Sequence, residues 1–358
     1  MANGHKYLKI VEWTTQQIHL GAFLPGEKFL SEHELAQRFS CSRQTVRRAL
    51  EILEHRNKIV RVQGSGTFIA EADPAPLSEQ KLSMNIGLLF TYMDSYIFPN
   101  ILKGIGDVLI ENGFSLQIHW TNNTVSGEAA ALRALMTKSL DGLIIEPTRS
   151  ALPCANLGLY KAFSEQNTPV VFIDSYYPEL QLPHVALDDV AAAHLATSHL
   201  ITHGHRRIAC IMPHTNRQGH LRYLGYTQAL TEHNIAVDES LIAWYSREDM
   251  DQVLHSAQLL KIFDECTALL CYNDTIALMV MEFLRHNGKR VPEDVSVMGI
   301  DDSDIARYTN LSSVAHPAAQ LGEAAANLLL TMIRGGEGKS FLFPPKLITR
   351  QTVQSVKG

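Results

Sequence analysis

Ser42-Arg43-Gln44-Thr45-Val46-Arg47-Arg48-Ala49-Leu50, followed by Gln63-Gly64-Ser65-Gly66-Thr67-Phe68, is the stretch from which the front of this chain is read. Ser42 is a good N-cap, because its hydroxyl can accept an orphan N–H of the first helical turn. Val46, Ala49, Leu50 and Leu53 then recur at helical spacing and predict one buried stripe. The remaining face carries Arg43, Gln44, Thr45 and Arg47. These side chains suit a duplex: Arg matches guanine, Gln matches adenine, and a short hydroxyl matches a phosphate. The helix start adds free N–H groups that also suit a phosphate.

Working outward, Ser31-Glu32-His33-Glu34 reads as a capping box that opens a helix through Leu35, Ala36 and Phe39. Tyr7, Leu8, Val11, Ile18 and Leu20 mark an earlier helix that Gly21 ends, and Leu24-Pro25-Gly26 is a turn. Ile59-Val60-Arg61-Val62 and Thr67-Phe68-Ile69-Ala70 read as two strands around a tip at Gln63 and Gly64. The order helix, helix, helix, hairpin predicts an N-terminal α+β winged helix-turn-helix over residues 1–70. Lys6 is expected at a phosphate, and Gln63 with Gly64 is expected to form the wing tip that lies along the duplex. Arg48 lies about 100° from Arg47 around the helix, toward the DNA backbone or solvent. Glu32 has three readings: an acceptor for cytosine N4, a holder of an Arg, or a plain capping carboxylate.

The charge supports this division. The first seventy residues hold ten Lys/Arg against six Asp/Glu, leaving 21 and 31 of the chain's 31 and 37 for the remainder. A basic head on an acidic body fits nucleic-acid binding better than the overall charge of −6 suggests. At 358 residues the chain exceeds one typical domain. No apolar run approaches the roughly 18 residues of a membrane span. Met1-Ala2-Asn3-Gly4-His5-Lys6 lacks an apolar core with a cleavage site, which argues for a cytoplasmic protein. The five scattered cysteines include no C-x-x-C and read as reduced thiols.

Residues 71–84, with Asp73-Pro74-Ala75-Pro76, are expected to be a linker. Beyond it, short continuous apolar runs at 86–90, 116–118, 142–145, 170–173, 208–211, 268–271 and 295–300 alternate with helix-length amphipathic segments. Such runs are strands buried on both faces of a parallel sheet, and the alternation means βαβ units. Ten or so strands are too many for one compact sheet, so residues 85–354 are expected to form two α/β lobes with a cleft. Ligands bind at the carboxyl ends of parallel strands. Those ends carry Tyr96, Trp120, Glu146, Asp174, Asn273 and Asp301. Carboxylates and amides there can pair with vicinal hydroxyls, and an aromatic face can cover the C–H side of a sugar. His316-Pro317 reads as a switch between lobes, with His316 also a candidate contact.

The head closely resembles the winged helix-turn-helix of GntR-family regulators. The match is carried by Leu24-Pro25-Gly26-Glu27-Lys28-Phe29, the capping box, the helix after Cys41 and the Gln63–Phe68 run. It implies operator binding as a dimer. The body resembles the periplasmic-binding-protein-like effector domain of LacI/GalR regulators. That match is carried by Asp141-Gly142-Leu143-Ile144-Ile145, Arg222-Tyr223-Leu224-Gly225-Tyr226, Cys271-Tyr272-Asn273-Asp274 and Val297-Met298-Gly299-Ile300-Asp301-Asp302, among others. It implies a two-lobed fold with parallel sheets and effector contacts at Arg222, Asn273 and Asp301, with Asp274 expected to cap the following helix. The sequence departs from LacI/GalR regulators at the front, where a winged helix replaces their head and hinge helix. The fusion is similar to bacterial repressors of arabinose operons. That resemblance implies a homodimeric repressor released from its operator by L-arabinose, whereas the residues alone reach only a small polyhydroxylated ligand.

Other features have plainer explanations. His203-Gly204-His205 lacks a third metal ligand, and Gly204 reads as a helix C-cap. Gly104-x-Gly106 lacks the third glycine of a dinucleotide fingerprint. Asp188-Asp189 reads as a helix N-terminal pair. No cofactor or metal is expected. The rival reading, a sugar-binding receptor or a sugar-modifying enzyme, needs an export signal or a nucleophile with an acid/base pair, and neither stands out.

Overall fold

The computed structural model describes residues 6–19, 23, 26–55, 58–62, 66–70, 82–92, 96–254 and 256–356. The chain divides into two compact units, Met1–Lys81 and Leu82–Gly358.

The first unit runs α1 (Lys6–His19), α2 (Glu32–Arg38), α3 (Arg43–His55), β1 (Ile59–Val62) and β2 (Gly66–Ile69). The capping box forms as the spacing predicts: Ser31 N–H donates to Glu34 Oε2 at 2.7 Å, and Glu34 N–H donates to Ser31 Oγ at 3.3 Å. Val46, Ala49, Leu50 and Leu53 are fully buried, together with Ile10 and Leu35. Ile59 pairs with Ile69 across the hairpin, which puts both into this core while Val60 and Val62 face solvent. The wing gains a third edge, because Phe29 N–H donates to Thr67 O and Ile69 N–H to Glu27 O, both at 2.8 Å.

The second unit holds two sheets. The first lobe is built from β3 (Asn85–Phe90), α4 (Phe98–Glu111), β4 (Ser115–Trp120), α5 (Val125–Met136), β5 (Gly142–Ile145), α6 (Leu157–Glu165), β6 (Val170–Ile173) and β7 (His184–Leu187). The chain continues through α7 (Asp189–Thr202), β8 (Ile208–Pro213), α8 (Arg217–Glu232), β9 (Ile242–Tyr245), α9 (Met250–Leu254), α10 (Ala257–Glu265) and β10 (Ala268–Cys271). It ends with α11 (Asp274–His286), β11 (Ser296–Asp301), α12 (Asp304–Thr309), β12 (Ser312–Ala315), α13 (Ala318–Ile333), β13 (Phe341–Phe343) and β14 (Lys346–Ile348). The sheet orders are β13-β7-β6-β5-β3-β4 and β14-β12-β11-β10-β8-β9. All pairings are parallel except β12 with β14.

The chain passes between the lobes three times. Helix α7 follows β7 of the first sheet yet packs on α8 and the second sheet, and α13 follows β12 of the second sheet yet packs on α4 and the first. Pro344 and Pro345 make the third passage, from β13 to β14. Both crossover helices depend on glycine. A Cβ on Gly104 of α4 would lie 2.0 Å from Ala319 O of α13, and one on Gly225 of α8 would lie 2.0 Å from Val190 O of α7. Gly104 and Gly225 thus each permit one of these close approaches.

Ser83 and Met84, at the end of the expected linker, are tied to the second unit: their N–H groups donate to the Asp141 carboxylate at 2.9 and 2.7 Å. All five cysteines are free. Gly204 adopts φ +88 directly after the C-cap of α7. The His205 ring bonds to Thr267 Oγ1 and Gln354 O, and no metal-holding cluster occurs among the described residues. Among the described residues no helix is long and apolar enough to cross a membrane.

Candidate ligand cleft and nucleic-acid face

Strand ends from both sheets converge on one cavity of about 300 Å³, at the small end of ligand pockets. Glu146 follows β5, Asp174 follows β6, Asn273 follows β10, and Asp301 closes β11. Arg222 reaches in from α8 and Tyr96 from the turn before α4; all six side chains line the cavity.

The carboxylates are held in different ways. Asp174 Oδ1 accepts from His316 Nε2 at 2.9 Å, and Oδ2 accepts from Gln218 Nε2 at 3.0 Å. Burial favours the protonated acid, but the His316 bond and charge outweigh it, and the Asp174 carboxyl sits below its usual value. Glu146 Oε2 accepts from both the N–H and the hydroxyl of Thr91 at 2.7 Å. Burial, aided by the Asp174 charge, still pushes Glu146 up to about 8. Asp301 accepts from the Tyr96 hydroxyl. Burial raises it, with Arg222 opposing. Asp174 and Asp301 have φ of +65 and +124, a left-handed backbone that costs a non-glycine residue about 1–3 kcal/mol and collects at functional sites.

Arg222 is 3% exposed. Its Nε donates to Asp189 Oδ1 at 2.7 Å, its Nη1 to Tyr272 O at 2.5 Å, and its Nη2 lies 4.0 Å from Asp301 Oδ1. Asp188 caps α7 by accepting from Ala191 N–H at 3.0 Å, so only this member of the aspartate pair serves the helix end; Asp189 turns inward to Arg222. The expected roles of Asn273 and Asp274 also change. Asn273 caps α11, its Oδ1 accepting from Ile276 N–H at 3.0 Å, which leaves its amide donor for the cavity. Asp274 is no cap. It accepts from Ser303 N–H and Oγ at 2.8 Å and from Ser313 Oγ at 2.7 Å, and so fixes the turn that carries Asp301.

Two expected contacts lie elsewhere. Trp120 is not among the lining residues; its ring centre lies 5.7 Å from that of Phe90, because its strand-end side chain turns into the first lobe's core. His316 stands behind Asp174, also outside the lining. The sequence reading missed Gln218, Tyr92, Arg247 and Tyr272, which all line the cavity. Gln218 precedes Arg222 by one turn of α8, so helical spacing offered a signal for it. Arg247 offered none.

This arrangement can bind a polyol. Carboxylates supply acceptors for hydroxyls, Arg222 supplies a donor, and the rings of Tyr92, Tyr96, Tyr245 and Tyr272 supply apolar faces.

On the head, Arg43, Gln44 and Arg47 are exposed along α3. Arg47 Nε lies 3.0 Å from each Glu32 oxygen, so Glu32 holds an arginine. Ser42 Oγ accepts from Thr45 N–H at 3.3 Å and lies 2.9 Å from Thr45 Oγ1. Arg48 stacks 4.6 Å over Tyr7, which draws it back to α1. Lys6 opens α1, while Gln63 and Gly64 lie outside the described residues.

The family model described as bacterial regulatory proteins, gntR family, matches residues 6–69, and that described as periplasmic binding protein-like domain matches residues 197–353. The arabinose metabolism transcriptional repressor of Geobacillus stearothermophilus is 36% identical over 98% of each chain. That of Halalkalibacterium halodurans is 34% identical over 98% of this chain and 97% of its own. A LacI family transcriptional regulator from Enterococcus faecium, solved with bound ribose, is 25% identical with a TM-score of 0.65, covering 76% of this chain and all of that one. These proteins are transcriptional regulators rather than enzymes. The chain belongs to the family of the arabinose metabolism transcriptional repressors, with a gntR-type winged-helix head and a LacI-like periplasmic-binding-protein body.

Proposed function

We propose that this protein is a cytoplasmic, homodimeric, sugar-responsive repressor of sugar-utilisation genes, released from its operator by L-arabinose. One observation carries the sugar reading: Glu146, Asp174 and Asp301 line a single cavity with Arg222 and Asn273. In this reading the Asp174 and Asp301 carboxylates accept from sugar hydroxyls, the neutral Glu146 carboxyl accepts or donates, and Arg222 and Asn273 donate. His316 acts through Asp174. The relatives named for arabinose metabolism and the neighbour with a bound pentose support the choice of sugar.

On the head, Arg43, Gln44 and Arg47 meet base edges, while Ser42, Thr45, Lys6, Gln63 and Gly64 meet phosphates. Glu32 orients Arg47. Two heads per dimer read a pseudo-palindromic operator. Sugar bridging the lobes favours one lobe arrangement, and that population shift weakens DNA binding.

Calorimetric titration of the full chain with L-arabinose, D-ribose, D-xylose and D-galactose tests the effector. L-Arabinose is expected to bind at least about tenfold more tightly than the others. Equal affinities, or no heat with L-arabinose, would refute that choice.

A further inference from the structure

Beside the cavity runs a circuit of contacts that crosses from one lobe to the other and returns. Arg149, after β5 of the first sheet, sends Nη2 to Glu248 Oε1 at 2.6 Å. Glu248 follows β9 of the second sheet. Arg149 also donates its N–H to Asn123 Oδ1 at 2.8 Å and its Nε to Asn123 O at 3.1 Å. The Asn123 side chain shares a hydrogen bond with the Tyr92 hydroxyl. Arg247 then closes the circuit from the second lobe, its guanidinium 3.8 Å from the centre of the Tyr92 ring. Arg247 and Glu248 adjoin in sequence, and their segment is braced by Ser246 N–H donating to Asp249 Oδ1 at 2.5 Å. Tyr92, Asn123 and Arg247 line the cavity, whereas Arg149 and Glu248 do not. Arg149 takes φ +46 to make these bonds.

We propose that Arg149 and Arg247 are positioning residues that, through Asn123 and Tyr92, hold the lobes together beside the cavity and set how slowly a bound ligand leaves. The proposal rests on the reading of the cavity as the sugar site. Its physical basis is simple. Separating the lobes there must break the ion pair and the ring contact together, because both are fixed to the same short segment. Variants of one binding site differ mostly in how fast the ligand departs and little in how fast it arrives, so the loss of these contacts is read in the release rate. Other bonds between the lobes, such as Gln218 to Asp174 and Ala151 N–H to Thr215 O, remain when the circuit is cut.

The test uses the full-length wild type, Glu248→Arg, Arg247→Ala and the double variant Arg149→Glu/Glu248→Arg. Two quantities are read: hydrogen exchange of residues 91–92, 96–98 and 213–218 in ligand-free protein, and the rate of L-arabinose release by stopped flow. Glu248→Arg and Arg247→Ala are each expected to raise exchange locally and to speed release about three- to tenfold, with the association rate little changed. The double variant is expected to recover much of the Glu248→Arg change. Exchange and release within twofold of wild type in both single variants would overturn the proposal. If Glu248→Arg raises exchange throughout the body, it has unfolded and Arg247→Ala decides. If wild type binds no L-arabinose while exchange still follows the variants, the sugar reading fails and the circuit stands.

Discussion

His316 Nε2 donates to Asp174 Oδ1 at 2.9 Å, joining the point where the chain leaves the second sheet to a strand end of the first. The bond ties a passage between the lobes to a carboxylate that lines the cavity, and both groups are almost wholly buried. A proton on His316 therefore bears on how the lobes are joined.

Burial lowers the His316 proton affinity, but the Asp174 hydrogen bond and charge outweigh it, and the ring sits above its usual value. The folded protein thus holds the proton more tightly than the unfolded chain. The stabilisation is fully present below the unfolded value of about 6.5 and is lost as pH rises through the folded value. The thermal midpoint should accordingly fall as pH rises above about 6.5, and His316→Gln should lack this component. Calorimetry from pH 6 to 9 checks it; parallel curves for the two proteins would contradict it.

Glu146 makes a second prediction of the same sign. A carboxyl raised to about 8 in the fold binds a proton that the unfolded chain has already released. Stability should decline by up to about 1.4 kcal/mol per pH unit between roughly 4.5 and 8. Glu146→Gln keeps the shape and carries no charge, so it should flatten that slope and gain on the wild type above pH 8. Urea unfolding at pH 5, 7 and 8.5 measures it, and an unchanged slope would count against a buried neutral acid.

Arg222 and Asp189 form a buried ion pair at 2.7 Å. Arg222→Met strands a buried carboxylate and should cost about 3–5 kcal/mol in urea unfolding. Adding Asp189→Asn should return a substantial part of that loss, because the charge left alone is the larger penalty. If the second change made matters worse by its full single-variant cost, the pair would not be coupled.

Much of this was readable from the chain. Val46, Ala49, Leu50 and Leu53 announce a buried stripe because one helix obeys one period. Glu146, Asp174 and Asp301 were found because buried strands are continuous apolar runs whose ends are visible. Trp120 shows the limit: its position at a strand end was legible, but the direction of its ring depends on Phe90, thirty residues away. Asp189 reads locally as a helix-end charge because its partner, Arg222, lies 33 residues on, in α8. The contact of Arg247 with Tyr92 joins the two lobes and exists only once both sheets have formed, so no local pattern encodes it.

For the head, Arg47→Ala should weaken operator binding by about 1–3 kcal/mol while sugar affinity is unchanged. Glu32→Gln should loosen the guanidinium that Glu32 now holds and shift DNA affinity by a smaller amount. Fluorescence anisotropy on operator DNA and calorimetry with sugar separate the two effects. Equal losses in both would show that the head and the sugar site are not separable.

The most direct measurement is the affinity of the full chain for the DNA upstream of its own gene, read by anisotropy at fixed salt, with and without saturating L-arabinose, for the wild type and Asp301→Asn. The expected result is tight binding that falls at least about tenfold with sugar in the wild type, and equally tight binding that ignores sugar in Asp301→Asn. Wild-type affinity that does not change with sugar, or a variant that responds as the wild type does, would contradict control of the head from this cleft.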